Sequence, residues 1–135
     1  MINIIVMTHG EFGAYLIEAA EHIVGEQKKG VKNISVSSRL SLEEMCSSVH
    51  YSIKEMKSGD GFIFLIDMPG GTPMNIVLPI VKDIPKAAVI CGLNINMLTS
   101  AFSYRKTLGF DKLVEKIMDD GKKSICDVKK LLVKL

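Results

Sequence analysis

The chain has 135 residues, 47% of them hydrophobic and 24% charged, with a formal net charge of +2. That length suits one domain with a real core and is short for two, and the composition is that of a soluble globular chain, not a disordered one. The small basic excess lies mostly in the tail, at Lys122, Lys123, Lys129, Lys130 and Lys134, with no aromatics between them. It reads as a solvated edge and gives no support to nucleic-acid binding.

The opening "MINIIVMTHG" is short and lacks the basic stretch of a signal peptide, and no apolar run reaches membrane-spanning length, so a cytoplasmic protein is expected. Four strands are expected at Asn3–Met7, Lys32–Val36, Gly61–Asp67 and Ala87–Cys91, each rich in Ile, Val or Phe. "GFIFLID" is apolar almost throughout, the mark of a strand covered on both faces.

The intervening segments carry helical period. In "GAYLIEAAEHIVGE", Leu16, Ala19, Ala20, Ile23 and Val24 recur at three- and four-residue steps, and Gly25 marks a stop. Next, "SLEEMCSSVHYSIKEMK" opens with a capping box, Ser41 and Glu44, and sets Leu42, Met45, Cys46, Val49, Ile53 and Met56 on its inward stripe. A third helix is expected to start with Thr72 as cap and Pro73 at its first position, and to bend or end at Pro79. Two more follow near Met97–Leu108 and Asp111–Asp120, with Gly121 closing the last. The final dozen residues suit either a helix or a short strand. Cys46, Cys91 and Cys126 are odd in number and far apart, and read as reduced, mostly buried thiols, with no disulfide framework or metal site.

Alternating strands and helices without a linker or repeat predict one α/β domain over residues 1–135. The expected architecture is doubly wound: a mainly parallel four-stranded sheet with helices on both faces. Ligands of such sheets bind beyond the carboxyl ends of the strands. His9 follows the first strand and Asp67 ends the third. If those two strands are neighbours, both side chains stand at one edge, where the carboxylate accepts one imidazole N–H and leaves the other ring nitrogen as a nucleophile. "GGTP", Gly70 to Pro73, then lets the backbone approach closely and opens a helix whose first N–H groups favour an anion. Taken singly, a histidine after a strand is an ordinary loop residue and "GGTP" an ordinary capped turn. Their conjunction on one edge suits a phosphoryl group carried on nitrogen. His22 and His50 lie within helices and read as surface or packing residues.

"MTHGEFGAYLIEAAEHIVGE", "FLIDMPGGTPMN" and "VICGLNINML" resemble, in order over residues 1–120, a bacterial family. It is the IIA component of the mannose/fructose/sorbose family of the phosphoenolpyruvate-dependent sugar phosphotransferase system (PTS). The resemblance implies that His9 takes a phosphoryl group from phospho-HPr and passes it to a IIB component. Asp67 would orient His9 and Thr72 would hydrogen-bond the phosphoryl group. Gly10, Gly70, Gly71, Pro73 and Met74 would form the phosphate-binding surround. The resemblance implies no cofactor or metal, contact with the membrane only through IIC and IID components, and a homodimer. The resemblance also implies four parallel strands in order 2-1-3-4 and makes "SICDVKKLL" a fifth, antiparallel strand exchanged between subunits. Some relatives carry an appended IIB domain that this sequence does not show, so the acceptor IIB is expected to be a separate protein. Met68, Thr72 and Asn96 stand where many members carry an aromatic, a serine and a proline, and Pro79 also departs from the pattern.

Two readings share the same chemistry: a regulatory module of this type, and the phosphocarrier subunit of a dihydroxyacetone kinase. A receiver domain needs an acidic pair where Thr8-His9-Gly10 stand, and a dinucleotide fold needs a fuller glycine motif than "HGEFG".

Overall fold

The computed structural model describes residues 1–56 and 59–134. Four strands form one parallel sheet: β1 (Asn3–His9), β2 (Val31–Val36), β3 (Phe62–Ile66) and β4 (Ala87–Cys91), in the order β2-β1-β3-β4. Five helices follow the strands in turn: α1 (Phe12–Val24), α2 (Leu42–Met56), α3 (Thr72–Val81), α4 (Ile95–Tyr104) and α5 (Phe110–Lys123). A last helix, α6, spans Val128–Lys134.

Alternate residues of each strand feed two cores. Ile4, Val6, Ile63 and Leu65 pack with Ala20 of α1, Leu98 and Phe102 of α4, and Leu113 and Ile117 of α5. Ile5, Met7, Phe64 and Ile66 face the other way, onto Met45 and Val49 of α2 and Ile76 and Val77 of α3. Each fully buried side chain of this kind stabilises the fold by about 1.5–3 kcal/mol. Two-sided burial explains why the central strands are nearly continuous apolar runs.

The capping box forms in both directions: Glu44 N–H donates to Ser41 Oγ at 3.0 Å, and Ser41 N–H donates to Glu44 Oε1 at 3.4 Å. Gly25 caps α1, as its position in the sequence suggests. Lys57, the expected end of the second helix, lies outside the described residues.

Several expectations are corrected. Leu42 is 63% exposed, because it sits at the first position of α2 beyond the rim of the sheet, and Ile23 and Val24 are exposed at the far end of α1. Gly71, not Thr72, is the N-cap of α3, and the helix runs through Pro79 to Val81. Pro79 and Asn75 are both exposed, so the Asn75 carbonyl that proline leaves without its helical donor lies on the solvent side of the helix, where the break costs least. Gly121 does not close α5. It is buried inside the helix, where a Cβ would stand 2.5 Å from Met97 Cγ, so its role is close packing of α5 on α4. Of the three thiols, Cys46 and Cys91 are half-buried and Cys126 is exposed.

The expected fifth strand is a helix. Asp127 caps it, its Oδ1 accepting from Lys130 N–H at 3.2 Å and its carbonyl from Leu131 N–H at 3.1 Å. Within one chain the tail thus satisfies its backbone locally, which a lone strand cannot do. The amino end of the sheet is closed by Arg105, only 2% exposed. Its guanidinium donates to the carbonyls of Ile2 (3.1 Å), Gly30 (2.9 Å) and Lys29, and to Gln27 Oε1 (3.0 Å).

Candidate functional site

The strand order reverses direction between β1 and β3, and the crevice beyond their carboxyl ends is where ligands of such sheets lie. β1 extends two residues past Met7, the residue paired with Ile66, so its last residue, His9, reaches over the end of β3. Asp67 comes next after Ile66. His9 Nδ1 and Asp67 Oδ2 are 2.9 Å apart, and the His9 backbone N–H donates to the same oxygen at 3.0 Å. Asp67 Oδ1 accepts from Met68 N–H at 3.0 Å.

Burial alone would raise the Asp67 pKa, but the hydrogen bonds from the His9 ring and backbone, its charge and the Met68 amide outweigh it and hold the carboxyl below its ordinary value. Asp67 is therefore an anion near neutrality, and an anion at Nδ1 requires that nitrogen to carry the hydrogen. In the neutral ring, Nε2 then holds the lone pair. The acid is 12% exposed and the imidazole 44%, so the orienting group is sheltered while the reactive one is open.

Nε2 faces the start of α3. A Cβ on Gly71 would lie 3.1 Å from His9 Cε1 and 3.3 Å from Nε2, so the bare backbone of Gly71 forms one wall of the site. Gly70, at φ +76°, makes the reversal that brings it there. Asn75 N–H donates to the Gly71 carbonyl at 3.1 Å as the first bond of the helix, which leaves the N–H groups of Gly71, Thr72 and Met74 outside the intrahelical ladder. These dipoles point beyond the helix end and favour negative charge.

The predicted site residues therefore separate into two groups. His9, Asp67 and Gly71 come together, with Thr72 following as the first residue of α3. The others shape the backbone. Gly10 has φ +69° and commits its N–H to the Val36 carbonyl at 2.9 Å, so it contributes a turn and not a donor. Gly70 N–H is taken by Met74 Sδ at 3.4 Å. Pro73 has no N–H and is buried, and the Met74 side chain packs toward the second core. His22 and His50 are exposed on their helices, away from this edge.

Other residues left out of the sequence reading of the site lie at the same carboxyl edge of the sheet. Cys91 ends β4 opposite Ile66, and burial, then the charge of Asp67, push its thiol pKa up, so it is a neutral neighbour. Asn94 caps α4 by accepting from Met97 N–H at 3.1 Å. Thr8 is fully buried next to His9. Among the described residues, no group of three or more His, Cys, Asp or Glu is placed to hold a metal ion.

The site thus holds an imidazole fixed at one nitrogen by an acid, with the other nitrogen beside the glycine backbone at a helix start. The chain belongs to the EIIA-man family, described as "PTS system fructose IIA component", whose model matches residues 3–118. It is 30% identical over 125 residues to the PTS system mannose-specific EIIAB component of Escherichia coli, covering 92% of this chain but only 38% of that protein. It is also 24% identical over 117 residues to the PTS system fructose-specific EIIA component of Bacillus subtilis, covering 87% and 80%. Among solved structures, the EIIA component from Streptococcus agalactiae superposes with a TM-score of 0.86 at 27% identity, covering 96% of this chain and 99% of that one. The PTS IIA protein associated with the fucose utilization operon of Streptococcus pneumoniae gives 0.84 at 25% identity, covering 97% and 96%.

Proposed function

We propose that the protein carries a phosphoryl group on His9, accepting it from phospho-HPr and passing it to a IIB component during uptake of a mannose- or fructose-type sugar. The observation that carries this reading is the 2.9 Å contact between His9 Nδ1 and Asp67, which frees Nε2 toward the opening of α3. Family membership supports the same role.

In the forward step, Nε2 of neutral His9 attacks the phosphorus of phospho-HPr in line. A P–N bond to His9 forms as the P–N bond to the donor imidazole breaks, and the donor ring leaves with that electron pair. Asp67 stabilises the positive charge that develops on the His9 ring. Thr72 and the amides of Gly71 and Met74 meet the equatorial oxygens, so catalysis consists of positioning and charge stabilisation. The return step to IIB reverses these roles. An open imidazole suits this exchange, because both donor and acceptor are proteins that must bring a side chain up to it. Membrane contact is indirect, through IIC and IID components; among the described residues no helix is long and apolar enough to cross a membrane. The apolar side chains of the tail, Ile125, Leu131, Leu132 and Val133, are exposed, which favours a homodimer in which they are covered. Exchange of the tail as a strand would require α6 to unwind.

The test is intact-mass analysis after incubation with phosphoenolpyruvate, enzyme I and HPr. The reading requires the gain of one phosphate and its loss on addition of a mannose-family IIB component. No gain, or a gain that only a dihydroxyacetone-kinase acceptor discharges, contradicts it.

A further inference from the structure

We infer that Thr8 is a positioning residue for phosphoryl transfer, its hydroxyl bracing the turn that holds His9 against Asp67. This rests on the carrier reading above, and it concerns a residue to which that chemistry assigns no part. Thr8 has no exposed surface, and the four residues before it in β1, Ile4 to Met7, are buried and apolar. A hydroxyl in such a place needs partners. It finds them beyond the histidine and not in its own strand pairing. Thr8 Oγ1 accepts from Gly13 N–H at 3.1 Å and donates to the Gly10 carbonyl at 3.3 Å, a longer and weaker bond.

Gly13 lies in the first turn of α1, whose N–H groups have no partner within the helix. Glu11, at the N-cap position, makes no side-chain capping bond, so the cap is supplied from the strand by Thr8. Gly13 must be a glycine for this approach: a Cβ there would stand 2.7 Å from Thr8 Oγ1 and 2.5 Å from Asn33 Oδ1. Gly10 is the residue most able to drift, since at φ +69° it has the conformational range of glycine. It is held by its N–H on Val36 and its carbonyl on Thr8. His9 is thus fixed at its backbone from both sides, and its ring is aimed by that frame. Loss of the hydroxyl leaves the Gly13 amide and Gly10 carbonyl unpaired in one step, and frees the turn without touching any group that meets the phosphoryl oxygens.

Single-turnover transfer from phospho-HPr to the wild-type protein, Thr8→Val and Thr8→Ser, with HPr concentration varied, separates rate from docking. Thr8→Val keeps the shape of the side chain, and its maximal rate is expected to fall about tenfold with half-saturation unchanged. Thr8→Ser restores the hydroxyl and most of the rate. Nitrogen NMR of the His9 ring, which needs no phosphate, is expected to show the Nδ1–H tautomer losing population in Thr8→Val only. A valine variant with wild-type rate and wild-type ring signals overturns the inference. If the wild-type protein takes no phosphate, the carrier reading fails while the ring signals still decide the bracing role. If the valine variant does not fold, hydrogen exchange of wild-type Gly13 decides instead: protection supports the bond to Thr8, and free exchange refutes it.

Discussion

Arg105 and His9, at opposite ends of the same sheet, are held in opposite ways. At the amino end, Arg105 is buried and spends its guanidinium on three carbonyls and Gln27. Burial pushes its pKa down, yet an arginine starts so high that it stays charged, and among the described residues no acid hydrogen-bonds it. At the carboxyl end, His9 makes one ring bond, to an acid, and leaves the other nitrogen open. A group bonded along most of its donors is fixed in place, whereas one held on a single side keeps a ring nitrogen available. The positions follow from the topology. Parallel strands gather the exits that precede each helix at one edge, and there the helix starts bring free amides.

The contrast is broken most severely by His9→Ala, which is expected to abolish phosphate uptake in the enzyme I and HPr assay while leaving the circular dichroism spectrum unchanged. Asp67→Ala comes next: the ring loses its anchor but keeps its nucleophile, so single-turnover transfer slows by roughly 10²-fold without vanishing. Arg105→Met at the opposite end separates the two roles. It is expected to cost about 3 kcal/mol in urea unfolding, since several buried carbonyls lose a charged donor, and to leave transfer near normal where the protein remains folded. Gly71→Ala should slow transfer only several-fold, because its Cβ pushes on the ring edge at 3.1 Å and the exposed imidazole has room to yield.

The smallest effect is one of pH. Asp67 has a folded pKa below its unfolded one, so its contribution to stability is present above the unfolded value and disappears as pH falls through the folded value. Urea midpoints of the wild type and Asp67→Asn should differ at neutral pH and converge as pH drops below about 4. A gap that widens in acid would reverse the assignment of charge.

The strands were legible because two-sided burial forces unbroken apolar runs, and β4 runs from Ala87 to Cys91 as its sequence suggests. The Ser41–Glu44 box was legible because both partners lie within one turn. Of the site, His9, Asp67 and the glycines could be read from their places at strand ends. What escaped depends on residues far apart in the chain. Arg105 meets Ile2 across 103 residues, and nothing in "SYRKT" announces a buried guanidinium. Gly121 reads as a helix stop until Met97 is seen against it. Thr8 lies just past the expected strand Asn3–Met7, and its role is not local to it, because its partners belong to the turn after it. The tail, with apolar and lysine residues closely mixed, fits two periods, and a local Asp127 cap decides for the helix within one chain.

Phosphorus–nitrogen correlation NMR of the phosphorylated protein tests the central claim most directly, since it identifies both the residue and the ring atom that carry the group. The account predicts a single adduct, on Nε2 of His9, with Nδ1 still bonded to Asp67. Phosphate on Nδ1, or on any other side chain, would contradict it.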